Sequence, residues 1–296
     1  MKFDSNLKLW KTLTNLIVRI SNGASGVKVG LALSGGAARG IAHIGALKAL
    51  EEARIPIDMI AGVSSGALIG ALYASGLDIE TIESVALGLR WKEFADLTPP
   101  RMGLISGKGI EEFVSKYTKV KEFGELKIPL AVVTTDLITE KEVVFRKGAL
   151  AKIVQASCSI PGVYTPVKYE DMLLIDGGIV NILPTDVLRR MGADFVIGVD
   201  VNTKATIGPE PKNVFQVILQ SWDVISRQGA ARARKDADLI IYPEIGDISK
   251  VDLKRARELL RTGYQAAKEV IPQLKREIKR RKGIIYRFKR KILRGL

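Results

Sequence analysis

The sequence predicts an α/β protein: a three-layer α/β/α sandwich with a mostly parallel central sheet. Short apolar, β-branched runs alternate with stretches of helical periodicity, and two glycine-rich turns each stand between such a run and a helix. The 296 residues, 47% hydrophobic and 26% charged, suffice for one sizeable core. No Pro/Ser/Gly-rich linker divides the chain, and no repeat of about 20 to 50 residues is evident. One catalytic domain with flanking segments is therefore expected.

Near residues 5 to 20, Leu9, Leu13, Leu16, Ile17 and Ile20 share one helical face. Polar residues interrupt every apolar run there, so neither a signal-peptide core nor a span of about 20 apolar residues is expected. Val27 to Leu33 reads as a buried strand, Ser34 to Gly40 as a turn and Ile41 to about Arg54 as a helix. Met59 to Val63 opens a second strand, turn and helix. Further strands are expected at Leu130 to Thr134, Val143 to Phe145, Met172 to Ile175, Phe195 to Val201 and Leu239 to Tyr242. Helical patterns at 149–157, 184–191 and 213–235 separate several of them. In such sheets the ligand lies beyond the carboxyl ends of the strands, where both glycine turns fall.

Charge is unevenly placed. Between Lys254 and Leu296, 16 Lys/Arg stand against three Glu and carry +13 of the formal +14. The rest of the chain is near neutral, which points to a basic tail and not to a nucleic-acid-binding protein, since no base-reading motif accompanies the charge. Ile278, Ile285, Phe288 and Ile292 recur at near-helical spacing in that basic surround, the composition of an interfacial helix on an anionic membrane. Gly283 weakens it, and a solvated tail or a helix packed on the body are rival readings. The single cysteine, Cys158, reads as a buried small residue; with no partner for a disulfide it fits a reducing cytoplasm. The expected division is an amphipathic segment at 1–26, a catalytic domain at 27–250 and a basic helical tail at 251–296.

Gly62-x-Ser64-x-Gly66 has the spacing of a nucleophile elbow, a sharp turn whose neighbours must be small. A serine hydroxyl needs a base. The one histidine, His43, lies upstream in a helix and reads as a packing or hydrogen-bonding residue. A carboxylate is the remaining simple base. Asp176 ends an apolar strand and is followed by Gly177 and Gly178, a pattern that also describes an ordinary turn. Successive N–H groups of Ser34-Gly35-Gly36-Ala37-Ala38-Arg39-Gly40 suit an oxyanion hole; the segment lacks the Gly-Lys-Ser/Thr of a P-loop and the G-x-G-x-x-G spacing. Between Arg90 and Lys108, Trp91, Phe94, Leu97, Met102, Leu104 and Ile105 alternate with basic residues, which suits either a cap over an acyl channel or an anchored loop. No His/Cys/Asp/Glu cluster has metal-ligand spacing, so no metal is expected.

Three motifs in order, LALSGGAARGIAHIGALKAL, GVSSG and DGG, resemble the patatin-like phospholipase family, in its bacterial branch. The likeness runs from about Val27 to Tyr242 and takes in the segments Ala156 to Gly162 and Asp176 to Asn181. It implies a Ser-Asp dyad without histidine: Ser64 as nucleophile, Asp176 as base, and the Gly35, Gly36, Ala37 and Ala38 backbone as oxyanion hole. Arg39 matches the family's basic residue in that loop, either meeting a phosphate or capping packing. Ala37 stands where the family usually has glycine; a positive φ there would cost about 1 kcal/mol. The implied activity is a serine lipid acyl hydrolase of phospholipase A or lysophospholipase type, acting through an acyl-enzyme without a cofactor. A transacylase, a neutral-lipid lipase and a catalytically silent membrane-associated scaffold are the alternatives. The expected partners are a lipid substrate and an anionic membrane, and the expected place is the cytoplasm, peripheral at the inner face of the membrane.

Overall fold

Residues 27–94, 102–202 and 210–283 are described by a computed structural model. The helix expected at 5–20, Leu97 and the tail from residue 284 lie outside the described residues. The strands are β1 (Val29–Leu33), β2 (Met59–Val63), β3 (Leu130–Asp136), β4 (Lys141–Phe145), β5 (Val167–Tyr169), β6 (Met172–Asp176), β7 (Phe195–Val199) and β8 (Leu239–Ile241). The helices are α1 (Ile41–Glu52), α2 (Ser65–Ala74), α3 (Ile79–Gly88), α4 (Lys108–Thr118), α5 (Leu150–Ser157), α6 (Thr185–Arg190), α7 (Val214–Ala233) and α8 (Ala256–Arg281).

The strands form one sheet in the order β5-β6-β3-β2-β1-β7-β8, with β4 also beside β3. From β3 through β2, β1 and β7 to β8 all neighbours are parallel. The β3–β4, β3–β6 and β5–β6 pairs are antiparallel. Side-chain alternation divides the core between the two faces. Leu31, Leu33, Ile60, Val132 and Ile197 join the cluster under α1, α2 and α8. Ala32, Ala61, Val63, Val133 and Val196 pack with Val187 and Leu188 of α6 on the opposite face. This is the three-layer α/β/α architecture the alternation of runs predicts.

The seven expected strands are present with ends shifted by one or two residues, while β5, α3 and α4 were not anticipated. Most of the basic C-terminal segment is a packed helix. Leu259, Leu260, Gly263, Ala267, Leu274 and Ile278 of α8 are buried, and α8 crosses α1 so closely that a Cβ on Gly263 would collide with the Ala42 carbonyl and one on Gly45 with that of Leu260. Among the described residues no helix is long and apolar enough to cross a membrane.

One feature of strand register positions the site. Strand β4 occupies one edge of β3 from Val132 to Asp136. Strands β2 and β6 therefore share the other edge end to end: Val63 is registered against Val133, and Asp176 against Thr134, the next residue. The residue after Val63 is Ser64. The sheet thus delivers the last residue of β6 and the first residue beyond β2 to the same step of β3.

Candidate active site

Ser64 leaves β2 with φ 53 and ψ −127, a strained conformation for a residue with a side chain. The flanking glycines make it possible. A Cβ on Gly62 would fall 2.5 Å from the Gly66 carbonyl oxygen, and one on Gly66 would collide with the Leu33 carbonyl of the neighbouring strand. The Ser64 N–H donates to Ser157 Oγ at 2.9 Å, and that hydroxyl donates to the Val133 carbonyl at 2.7 Å. Ser157 therefore fixes the elbow to β3. Helix α2 begins at Ser65, so its unspent N-terminal N–H groups converge behind the serine.

Asp176 is fully buried. Its N–H donates to the Ser159 carbonyl at 3.0 Å, its carbonyl accepts from Thr135 Oγ1 at 3.2 Å, and Oδ1 accepts the Gly178 N–H at 2.8 Å. The two glycines that follow are demanded by space: a Cβ on Gly177 would collide with the Val133 carbonyl, and one on Gly178 would sit 2.7 Å from Ile182 Cδ1. Burial pushes the Asp176 carboxyl up to about 7, opposed by the Ser64 hydroxyl, the Gly178 N–H and the positive charge of Lys250. The hydroxyl thus lies in the electrostatic range of the carboxyl while short of full hydrogen-bond geometry, and Oδ2 has no hydrogen-bond partner.

The Ser34–Gly40 turn lies against the elbow, with Gly35 so near that a Cβ there would be 3.2 Å from Ser64 Cβ. Four of its backbone amides were expected to bind an oxyanion. The Gly35 N–H donates to the Ile182 carbonyl at 3.0 Å, and the Ala38 N–H donates to that of Lys250 at 2.9 Å. Those of Gly36 and Ala37 have no such acceptor among the described residues. Ala37 has φ 48, the left-handed geometry in which alanine is disfavoured relative to glycine. Arg39 Nε donates to the Ile248 carbonyl at 2.8 Å. His43 is buried with its pKa lowered to about 4, and its Nε2–H donates to the Ser34 carbonyl at 2.8 Å. It braces the turn as a neutral ring.

Sequence reasoning passed over several supports. Ser34 Oγ accepts the Val201 N–H at 3.0 Å, and Asn202 Nδ2 donates to the Gly35 carbonyl at 2.8 Å. Lys250 is buried, with 5% of its surface exposed. No spacing pattern marks these residues, because each acts from a strand end or loop distant in sequence.

A narrow cleft of about 110 Å³, partly open to solvent, leads from Ser64. It follows one face of α2 (Ser65, Leu68, Ile69, Leu72), with Ile82 of α3 and Phe113 of α4 among its other walls. Among the described residues the lining is almost wholly apolar and holds no acidic or basic side chain. Cys158 contributes to the wall; burial and the Asp176 charge push its thiol well above the usual range, which suits an inert residue. The segment from Arg90 to Lys108 divides in character. Trp91 lines the cleft and donates its indole N–H to the Val251 carbonyl at 2.7 Å. Phe94 is buried edge-on to Phe113 with ring centroids 5.3 Å apart, whereas Met102 and Leu104 are 57% and 46% exposed. Among the described residues no group of three or more His, Cys, Asp or Glu is placed to hold a metal ion.

The family model described as patatin-like phospholipase matches residues 31–189. The chain belongs to that family. Patatin-like relatives include neuropathy target esterase sws of Drosophila melanogaster, 37% identical over 194 residues, covering 63% of this chain and 14% of the relative. Lysophospholipase nte1 of Aspergillus niger is 30% identical over 290 residues, covering 88% of this chain and 19% of the relative. The chain thus spans less than a fifth of the length of these curated relatives. The crystal structure of VipD from Legionella pneumophila shares the fold, with TM-score 0.56 and 15% identity over 84% of this chain and 67% of that one.

Burial of Asp176 has a measurable consequence for stability. A carboxyl that holds its proton to about 7 in the fold, against an ordinary 3.8, stabilises the fold fully below pH 3.8, and that contribution is lost as pH rises through about 7. Asp176→Asn removes the ionisation. Its melting temperature should exceed that of the wild type above pH 7, by on the order of a few kcal/mol in stability at most, and the gap should close towards pH 4. A gap independent of pH across calorimetric scans would contradict the placement of Asp176.

Proposed function

We propose that this patatin-like protein is a serine lipid acyl hydrolase, of phospholipase A or lysophospholipase type, with Ser64 as nucleophile and Asp176 as general base. The observation that carries the reading is the shared β3 step, which sets a strained serine beside a buried carboxyl at the inner end of an apolar cleft. An aspartate with an ordinary pKa is a feeble base, but one held near 7 has roughly the basicity of an imidazole. Asp176 takes the proton of Ser64 Oγ as that oxygen attacks the ester carbonyl carbon. The oxyanion is received by the Gly36 and Ala37 N–H groups, with the N-terminus of α2 behind it. On collapse the ester C–O bond breaks, and the proton passes from Asp176 to the leaving alkoxide. Water then repeats the sequence on the acyl-enzyme, releasing a fatty acid and restoring Ser64. The apolar lining of the cleft among the described residues suits an acyl chain, and the named lysophospholipase among the relatives agrees with that substrate class.

In this reading the catalytic domain runs from β1 to β8 and α8 is docked on it. The exposed side of α8 carries Arg257, Arg261, Lys268, Lys275, Arg276 and Lys279. Each cation near an anionic bilayer contributes about 1 kcal/mol, so α8 is proposed to hold the protein peripherally at such a surface, on the cytoplasmic side.

A fluorophosphonate probe should label the wild type and not Ser64→Ala, and mass spectrometry should show released fatty acid from defined phospholipids. Ser64→Ala and Asp176→Asn should each lower kcat/KM about a thousandfold or more, and wild-type kcat/KM should rise as pH passes about 7. A folded Ser64→Ala variant with undiminished hydrolysis would sink the nucleophile assignment; an unlabelled wild type would favour the silent scaffold, and acyl transfer to an added alcohol in preference to water the transacylase. For the membrane contact, reversing Lys275, Arg276 and Lys279 to Glu should weaken sedimentation with phosphatidylserine vesicles at low salt while sparing hydrolysis of a soluble ester. Unchanged sedimentation removes that contact.

A further inference from the structure

Three strand ends lie side by side at the catalytic face, because β1 runs between β2 and β7 in the parallel part of the sheet. The chain beyond β2 begins with Ser64, the chain beyond β1 is the Ser34–Gly40 turn, and the chain beyond β7 is Asp200-Val201-Asn202. The turn is thus flanked by the serine on one side and by Asn202 on the other. Asn202 is buried, at 4% exposure. Its Nδ2 donates to Gly35 O at 2.8 Å and lies 3.4 Å from Asp200 Oδ1 and 3.5 Å from Ser34 Oγ. Three oxygen neighbours identify that end of the amide as the nitrogen. The Asn202 N–H donates to Asp200 Oδ1 at 2.9 Å, which anchors the residue at the end of β7.

The bond to Gly35 O orients a whole peptide group. Gly35 O and the Gly36 N–H belong to one peptide unit, which is trans, so they point in opposite directions. A carbonyl drawn toward the end of β7 sends the Gly36 N–H toward the end of β2, where Ser64 lies. With glycine on both sides, no Cβ opposes rotation of this unit, and its carbonyl could equally be turned to the serine. The next peptide is fixed locally: Gly36 O accepts the Arg39 N–H at 3.1 Å within the turn, which sets the direction of the Ala37 N–H. The Gly35 carbonyl takes its donor instead from Asn202, far along the chain.

We propose that Asn202 is a positioning residue of the oxyanion hole: its side-chain amide holds the Gly35–Gly36 peptide with the N–H, and not the carbonyl, toward Ser64. This rests on the hydrolase reading above. A donor fixed in advance stabilises the oxyanion without reorganisation, whereas a carbonyl in its place would repel the charge as it forms. Substrate in its ground state carries no such charge, so the effect of Asn202 falls on the transition state and spares binding.

Asn202→Leu tests this, because it keeps the bulk of the side chain and removes its donor; Asn202→Ala carries the same readouts should the leucine variant not fold. The readouts are kcat and KM on 4-nitrophenyl butyrate, the melting temperature, and the inhibition constant of an octyl trifluoromethyl ketone, whose adduct with a serine bears an oxyanion. In the variant kcat should fall about tenfold to a hundredfold with KM changed less than about twofold, and the inhibition constant of the ketone should rise by the same factor as kcat/KM falls. Unchanged kcat in a folded variant, a loss carried by KM, or unaltered ketone inhibition while kcat falls overturns the proposal and leaves Asn202 a structural residue. A wild type that neither the ketone nor a fluorophosphonate engages at Ser64 would instead overturn the hydrolase reading itself.

Discussion

The site depends on the desolvation of one carboxyl group. Asp176 sits at the end of β6 with no access to water, and burial outweighs every interaction that favours its ionised form. A surface aspartate could not deprotonate a serine at neutral pH; this one is held where histidine would ordinarily titrate. Under the proposed mechanism the serine needs no histidine base, and His43 braces the Ser34 carbonyl as a neutral ring.

That carboxyl is useful because the sheet changes direction beside it. The edge of β3 is shared by parallel β2 and antiparallel β6, which meet at the Val133–Thr134 step. Chain ends converging from opposite directions need room, and the glycines at 62, 66 and 177 supply it where a Cβ would meet a neighbouring carbonyl. Strain accumulates at the same place: Ser64 and Ala37 both have positive φ. Such conformations persist where surrounding bonds over-determine them. Here Ser157, His43, Asn202 and the Lys250 carbonyl do so.

Much of this was legible in the residues and some was not. The parallel strands could be read because buried strands are continuous apolar runs, and the elbow because its glycines are imposed by close backbone approach. Strand β5 escaped notice because three residues carry too little period. Helix α3 was legible in principle, since Asp78 caps it by accepting the Thr81 N–H at 2.8 Å. That the Gly35 and Ala38 amides of the proposed oxyanion turn are already engaged was out of reach, because their acceptors come from Ile182 and Lys250, far along the chain. The composition of the basic segment left open whether it packs on the body: most of its cations are on the exposed side of α8, and its buried side is an apolar seam against α1.

The most direct test is the titration of Asp176 itself. With aspartate labelled at the side-chain carbonyl carbon and the resonance assigned by its loss in Asp176→Asn, carbon NMR of the folded wild type should show a midpoint near 7. A midpoint in the ordinary carboxylate range, near 3.8, would mean that the group is a structural turn residue and cannot serve as the base.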